Sequence, residues 1–226
     1  MPTLSLTAGD GVIYEYKTDT FANVRALGTT PKSIQSNSNE TIDNSVVSGR
    51  GSAANNIGRY YFKFNSSGIT STVSSATLKI YGQGHSGLDV IILKSSQSGT
   101  LAQGDFDAIT GAASALSSSD GSGAGRLSTV SAVKKYSAVI TTWSTSGYND
   151  ITLTADALAD LESLSTFSCV MIGNEDYMDQ APTGSNRTGF HTDAYTGTSR
   201  DPYIDYTLAS PPSTPEGNAL FFGTNF

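Results

Sequence analysis

Residues 59–65 read RYYFKFN, and residues 74–82 read SSATLKIYG. In the first, Tyr60, Phe62 and Phe64 fall on one side of an extended chain, with Tyr61 and Lys63 on the other. In the second, Ala76, Leu78 and Ile80 share a face opposite Thr77, Lys79 and Tyr81. A period of two belongs to strands half-buried against a core. Further strands are read in GVIYEYK (11–17), NDITLT (149–154), TFSCVMIG (166–173) and DPYIDYTL (201–208). LDVIILKS (88–95) is instead a continuous apolar run, as suits a strand covered on both faces. About ten strands separated by turn signals predict a sandwich or barrel.

Composition agrees. Hydrophobic residues make up 37% and charged residues 15% of the 226, a balance that favours short strands and polar turns over long helices. One helix is predicted in TADALADLESL, with Thr154 at the N-cap position and Leu158 and Leu161 on one side. LSTVSAVKKY (127–136) reads as a second short helix or an irregular approach to a strand. SAVITTW (137–143) and NDITLT read as a pair joined by STSGY. Two stretches read as loops: the polar connector 33–56 and the Gly/Ser-rich ALSSSDGSGAGR (115–126).

The domain boundary is placed after Leu208. Residues 1–208 form the predicted β-sandwich, and 209–226 a Pro-rich linker followed by an apolar tail. That tail carries Leu220, Phe221, Phe222 and Phe226. Each such side chain is worth roughly 1.5–3 kcal/mol when buried, so the tail is expected to dock, in cis or on a neighbouring subunit.

The net charge of −7 disfavours nucleic acid and anionic membrane surfaces as partners. No segment approaches the roughly 20 apolar residues of a membrane span. The N-terminal MPTLSLTAGDG lacks the features of a secretory signal, so a cytosolic origin is expected. The single cysteine, Cys169, reads as a buried strand residue.

Motifs that carry chemistry are few. GQGHSG (82–87) matches G-x-G-x-x-G but precedes a strand, so it reads as a glycine-rich hairpin turn, not a nucleotide site. His191 and Asp193 lie two apart, short of the three or four ligands a metal needs. Asp105 and Asp107, and Glu175, Asp176 and Asp179, read as acidic turns in water. No cofactor or metal is expected; a structural calcium pinning those turns is the alternative. Trp143 reads as core, whereas Tyr148, Tyr177 and Tyr195 are the candidate ring surfaces for stacking a sugar. No catalytic residue is assigned, because no nucleophile elbow, H-E-x-x-H or P-loop occurs.

The run RYYFKFNSSGITSTVSSATLKIYG resembles the DNRLRE-type jelly-roll domains, which are grouped with carbohydrate-binding modules. The matching positions are Arg59, Phe62, Phe64, Ser67, Ile69, Val73, Ser75, Ala76, Thr77, Leu78, Ile80 and Tyr81. Pro202, Tyr203, Ile204, Asp205 and Tyr206 are similar to the closing strand of such domains. The wording across residues 10–208 also resembles structural proteins of bacteriophages. The resemblance implies a jelly-roll sandwich with an architectural or glycan-binding role. With no export signal, the expectation is a non-enzymatic virion protein: a capsid decoration, fibre or tail-associated subunit. Its partners would be other virion proteins or its own copies, and host polysaccharide. A carbohydrate-binding module is the alternative reading, and a polysaccharide lyase or hydrolase a more distant one.

Overall fold

The computed structural model describes residues 2–7, 10–26, 28, 33–36, 39–49, 52–197 and 199–210. The predicted docking residues Leu220, Phe221, Phe222 and Phe226 lie outside the described residues. In chain order the strands are β1 (Thr3–Ser5), β2 (Gly11–Lys17), β3 (Ser33–Gln35), β4 (Asn39–Gly49), β5 (Ser52–Asn65) and β6 (Val73–Ser86). They continue with β7 (Val90–Lys94), β8 (Tyr148–Thr152), β9 (Thr166–Gly173), β10 (Ser185–His191) and β11 (Tyr203–Leu208). Helices are short: α1 (Phe21–Arg25), α2 (Ala113–Ser117), α3 (Ala155–Ser163) and α4 (Asn174–Met178).

The architecture is an all-β sandwich, as the alternation predicts. One sheet runs β1-β11-β6-β8, with β1 and β11 paired antiparallel through Leu4↔Ile204. The other runs β3-β2-β5-β9-β7, and the free edge of β7 is bridged by Lys135 and Ile140. Followed along the chain, β1, β5, β6, β7, the 135–140 segment, β8, β9 and β11 pass between the sheets in jelly-roll order. Strands β4 and β10 join the two sheets, because β4 pairs the first half of β5 while β10 pairs both β4 and the second half of β6.

Between the sheets lies the main core. Tyr60, Phe62 and Phe64 all point into it, where Tyr60 meets the Phe190 ring edge-on at 4.8 Å and Phe64 meets Phe167 at 6.3 Å. Cys169, opposite Phe62 in the ladder, is buried as expected, and burial pushes its thiol pKa up.

A second core lies on the outer side of β5, β7 and β9. Tyr61, Ile91, Leu93, Val170 and Ile172 face it, and Phe106, Leu116 and Leu127 cover them from the 96–133 excursion. The continuous apolar run of β7 follows directly: Val90 and Ile92 enter one core, Ile91 and Leu93 the other.

Several expectations need correction. The Gly/Ser-rich stretch 115–126 is a packed lid, not a free loop, because Leu116 seals the second core and the backbone N–H groups of Gly121 and Gly125 donate to Asp179. The polar connector 33–56 contains β3, β4 and the start of β5, since ladder bonds satisfy the backbone whatever the side chains are. Segment 137–143 does not pair with β8. That strand instead pairs β6, in the opposite sheet, and Asn149 closes the crossing by bonding both the N–H and the carbonyl of Ser144. Gly82 and Gly84 are not in a turn but inside β6, where a β-carbon on Gly82 would sit 1.8 Å from the Ser144 carbonyl oxygen. Of the two readings of stretch 127–136, the irregular approach to a strand holds: after a 3-10 turn at Leu127–Thr129 the chain leads into the Lys135 bridge to β7. Helix α3 forms where predicted, but Thr154 at its N-cap donates its hydroxyl to the Lys135 carbonyl instead of accepting from the helix.

The acidic turns are corrected too. Asp176 and Asp179 are not solvated; both are fully buried at the end of α4 with Arg25 and Arg59. Arg59 grips Asp176 with two bonds, Nε to Oδ2 at 2.7 Å and Nη2 to Oδ1 at 3.0 Å. Its Nη1 donates to the Phe106 carbonyl and reaches Asp107 Oδ1 at 3.3 Å, while its guanidinium lies 4.0 Å over the Phe106 ring. Burial alone would raise the Asp176 carboxyl; the Arg59 and Arg25 charges outweigh it and hold the pKa below its ordinary value. That contribution to stability is present above the ordinary carboxylate pKa and is lost as pH falls through the lowered one. Arg59→Ala is expected to cost about 3–5 kcal/mol in urea unfolding, because Asp176 would remain buried with its principal partner removed. A loss below about 1 kcal/mol, the size of an exposed pair, would contradict this account.

Candidate functional site

The outer face of the β1-β11-β6-β8 sheet carries the side chains that alternation turns away from the main core. Across β6 and β8, Tyr81 is paired with Tyr148 and Lys79 with Asp150. On the other flank of β6, Tyr203 is paired with Lys79 and Asp205 with Thr77. Polar and aromatic side chains therefore line up in rows across the strands.

The aromatic row is continuous. Tyr203 and Tyr148 meet at 5.3 Å, Tyr148 and Tyr81 at 5.3 Å, Tyr81 and His191 at 5.4 Å, and His191 and Tyr195 at 4.5 Å. The steep interplanar angles are the edge-to-face geometry that ring quadrupoles favour. Arg200 lies 4.8 Å over both Tyr81 and Tyr195, and its Nη1 is 3.1 Å from His191 Nε2. Arginine only donates, so His191 Nε2 is the acceptor in this contact. The Tyr148 hydroxyl donates to the carbonyls of Ser199 and Asp201. Together these contacts strap the chain around Tyr195 and around Ser199–Asp201 onto the sheet. Beside the charged row, Lys79 Nζ lies 2.8 Å from Asp150 and 4.0 Å from Asp205.

Carboxylates border the row. Asp10, at the entry to β2, accepts a 2.6 Å bond from the buried Tyr60 hydroxyl. Burial, with a smaller contribution from the neighbouring Asp193, pushes its pKa up to about 6 against the lowering effect of that bond. Asp201 is also raised, first by burial and then by Asp193.

Of the residues singled out from sequence, Tyr148 and Tyr195 belong to this row, with His191 between them and Asp193 nearby. Tyr148 and Tyr195 are half-buried, His191 is buried and Asp193 is exposed. Tyr177 lies elsewhere, only 5% exposed and packed in the second core, which leaves no ring face for a ligand. Asp105 caps the 3-10 turn at Gln103–Asp107 by accepting from the Ala102 N–H, and Asp107 accepts from the Gly28 N–H. Glu175 accepts from the Asn186 side chain at 2.7 Å. Trp143 packs against the main core and donates its indole N–H to the Gly189 carbonyl. Among the described residues no three His, Cys, Asp or Glu side chains converge as metal ligands.

Sequence reasoning missed Tyr81, Tyr203, Arg200, Asp10 and Asp201. Alternation held the signal for two of them: Tyr81 and Tyr203 occupy outward positions of strands whose inward residues were already recognised. No family model and no curated protein matches this chain.

The Asp10 carboxyl yields a pH test. In the folded protein it keeps its proton to about pH 6, whereas the ordinary value is 3.8. Between these values the folded state binds more protons, so this group makes stability fall as pH rises, with no further change above both. Asp10→Asn should remove that component and narrow the wild-type fall in unfolding free energy between pH 4 and pH 7 by about 1–2 kcal/mol, after discounting for solvent screening. Identical pH profiles for the two proteins would contradict the assignment.

Proposed function

We propose that this protein is a non-enzymatic structural component of a bacteriophage particle, a decoration, fibre or tail-associated subunit, that docks on neighbouring subunits and contacts host-surface glycan. The observation that supports a recognition role is the division of labour among its polar side chains. Arg25, Arg59, Asp176 and Asp179 are spent on holding layers together, and Lys94, Asp160 and Tyr136 on seating α3. The outer sheet face, by contrast, presents half-buried rings at Tyr81, Tyr148, Tyr195 and Tyr203. Aromatic rings with polar neighbours suit ligands that are apolar on one face and hydroxylated at the rim.

The same face favours the second reading, a carbohydrate-binding module, and the two are compatible. A lyase is less well supported: His191 is 5% exposed and its Nε2 is engaged by Arg200, whereas a base acting on a polymer must reach it. The virion setting rests on the phage-like wording of the sequence, on the apolar residues Leu220, Phe221, Phe222 and Phe226, and on an acidic surface that disfavours nucleic acid and membranes.

Truncation after Ala209 tests the docking half. The shortened chain is expected to fold with a melting temperature close to that of the full chain and to fail to enter its native particle. Undiminished incorporation would overturn docking through the tail. Glycan-array binding by the full chain, weakened by Tyr148→Ala or Tyr195→Ala, is the outcome expected for the recognition half; an array with no bound glycan would overturn it.

A further inference from the structure

The aromatic row ends, on the β1 side, at a cleft. Thr3, Ser5, Asp201, Pro202, Tyr203 and Asp205 line about 450 Å³ of space, within the roughly 300–1,000 Å³ typical of small-ligand sites. The ladder explains why these residues meet. Thr3 is paired with Asp205 and Ser5 with Tyr203, so on neighbouring strands their side chains emerge on the same outer face. Pro202 and Asp201 follow from the strap that Tyr148 holds through the Ser199 and Asp201 carbonyls.

Three features of the cleft point to a ligand. The Tyr203 ring is half-buried and braced at 76° by Tyr148, a fixed aromatic surface at the edge of the sheet. Thr3 and Ser5 supply hydroxyls that can donate or accept. Asp201 and Asp205, both half-buried, set two carboxylate side chains into the lining.

We propose that this cleft is a subsite for one neutral pyranose ring, stacked by its C–H face on Tyr203 and held by hydroxyl donors to Asp201 and Asp205. The assignment rests on the glycan-contact half of the proposed function and specifies its ligand class. Neutrality follows from charge. Among the described residues the lining holds two carboxylates and no cation; the neighbouring Lys79 has its ammonium on Asp150 at 2.8 Å and is 4.0 Å from Asp205. A uronate or sialate carboxylate would face like charges there, whereas sugar hydroxyls donate to carboxylates in strong, charge-assisted bonds.

The test uses the full chain on an array of neutral and acidic oligosaccharides, then calorimetric titration with the best-bound neutral oligosaccharide. Tyr203→Ala, and Ser5→Tyr, which plugs the cleft without touching the core, are each expected to weaken binding at least tenfold. Amide-shift mapping on the unaltered protein, expected to centre on residues 3–5 and 201–205, keeps the test decisive if a variant fails to fold. Preference for acidic glycans, or neutral binding that survives both substitutions and maps elsewhere, overturns this assignment and leaves the wider glycan reading standing. Absence of any glycan binding overturns both.

Discussion

The Arg59–Asp176 pair is the constraint around which the rest of the molecule is arranged. Arg59 projects from the outward face of β5, the strand whose inward face carries the aromatic core, and a guanidinium there cannot lose its charge. It must therefore be enclosed together with its counter-charge and with acceptors for its remaining N–H groups. Asp176 on α4, the Phe106 carbonyl and Asp107 supply them. Satisfying one arginine thus brings α4 and the 103–107 turn onto the sheet, and with them Tyr177 and Phe106 into the cover of the second core. Arg25 then joins the same carboxylate from α1 and reaches Asp179, whose left-handed backbone (φ 52°) closes α4. Such networks contribute less net stability than their bond count suggests, because desolvation offsets much of the attraction. Their effect here is to specify which loop covers which face.

The sandwich proper has a different basis. Apolar burial is non-directional, and the aromatic ladder of Tyr60, Phe62 and Phe64 against Phe167 and Phe190 holds the two sheets together without selecting what lies outside them. Strands β5, β7 and β9 are covered on both faces, by the main core and by the second core. The β1-β11-β6-β8 sheet is covered on its inner face by the main core, and its outer face carries rings, hydroxyls and ion pairs. The asymmetry is the reason that outer face is the one proposed for recognition.

Within that face, order comes from the strap. The described residues of 192–197 and 199–202 lie outside any helix or strand, yet Tyr148, Tyr81, His191, Tyr195 and Arg200 bind them down through hydroxyl–carbonyl bonds, edge-to-face rings and a guanidinium over two rings. The strap sets the far wall of the Tyr203 cleft, so the proposed recognition surface and a structural tie share the same residues. Asp10, whose affinity for protons is raised by burial and by the neighbouring Asp193 charge, places a pH-responsive contact next to that tie.

The alternation in RYYFKFN and SSATLKIYG was enough, by itself, to determine an all-β sandwich and to identify which residues of β5 and β6 face the core. A period of two leaves no other way to bury those side chains. The doubly apolar run of β7 likewise announced a strand covered twice. What lay beyond the sequence were the partners. Asp107 and Asp176 stood in separate acidic turns, 48 and 117 residues from Arg59, and nothing local marked them as its counter-charges. Stretch 115–126 looked like a free loop because its composition is polar, while its burial depends on one leucine and on backbone N–H groups that composition does not display. The site followed the same rule: Tyr148 and Tyr195 were visible as aromatics in turns, but Tyr177 in similar surroundings is buried. Strand periodicity is a property of neighbours in the chain and can be read there. Charge pairing, ring contacts and the choice of covering loop are made between residues brought together only when the sheets close, so the tertiary structure alone decided them.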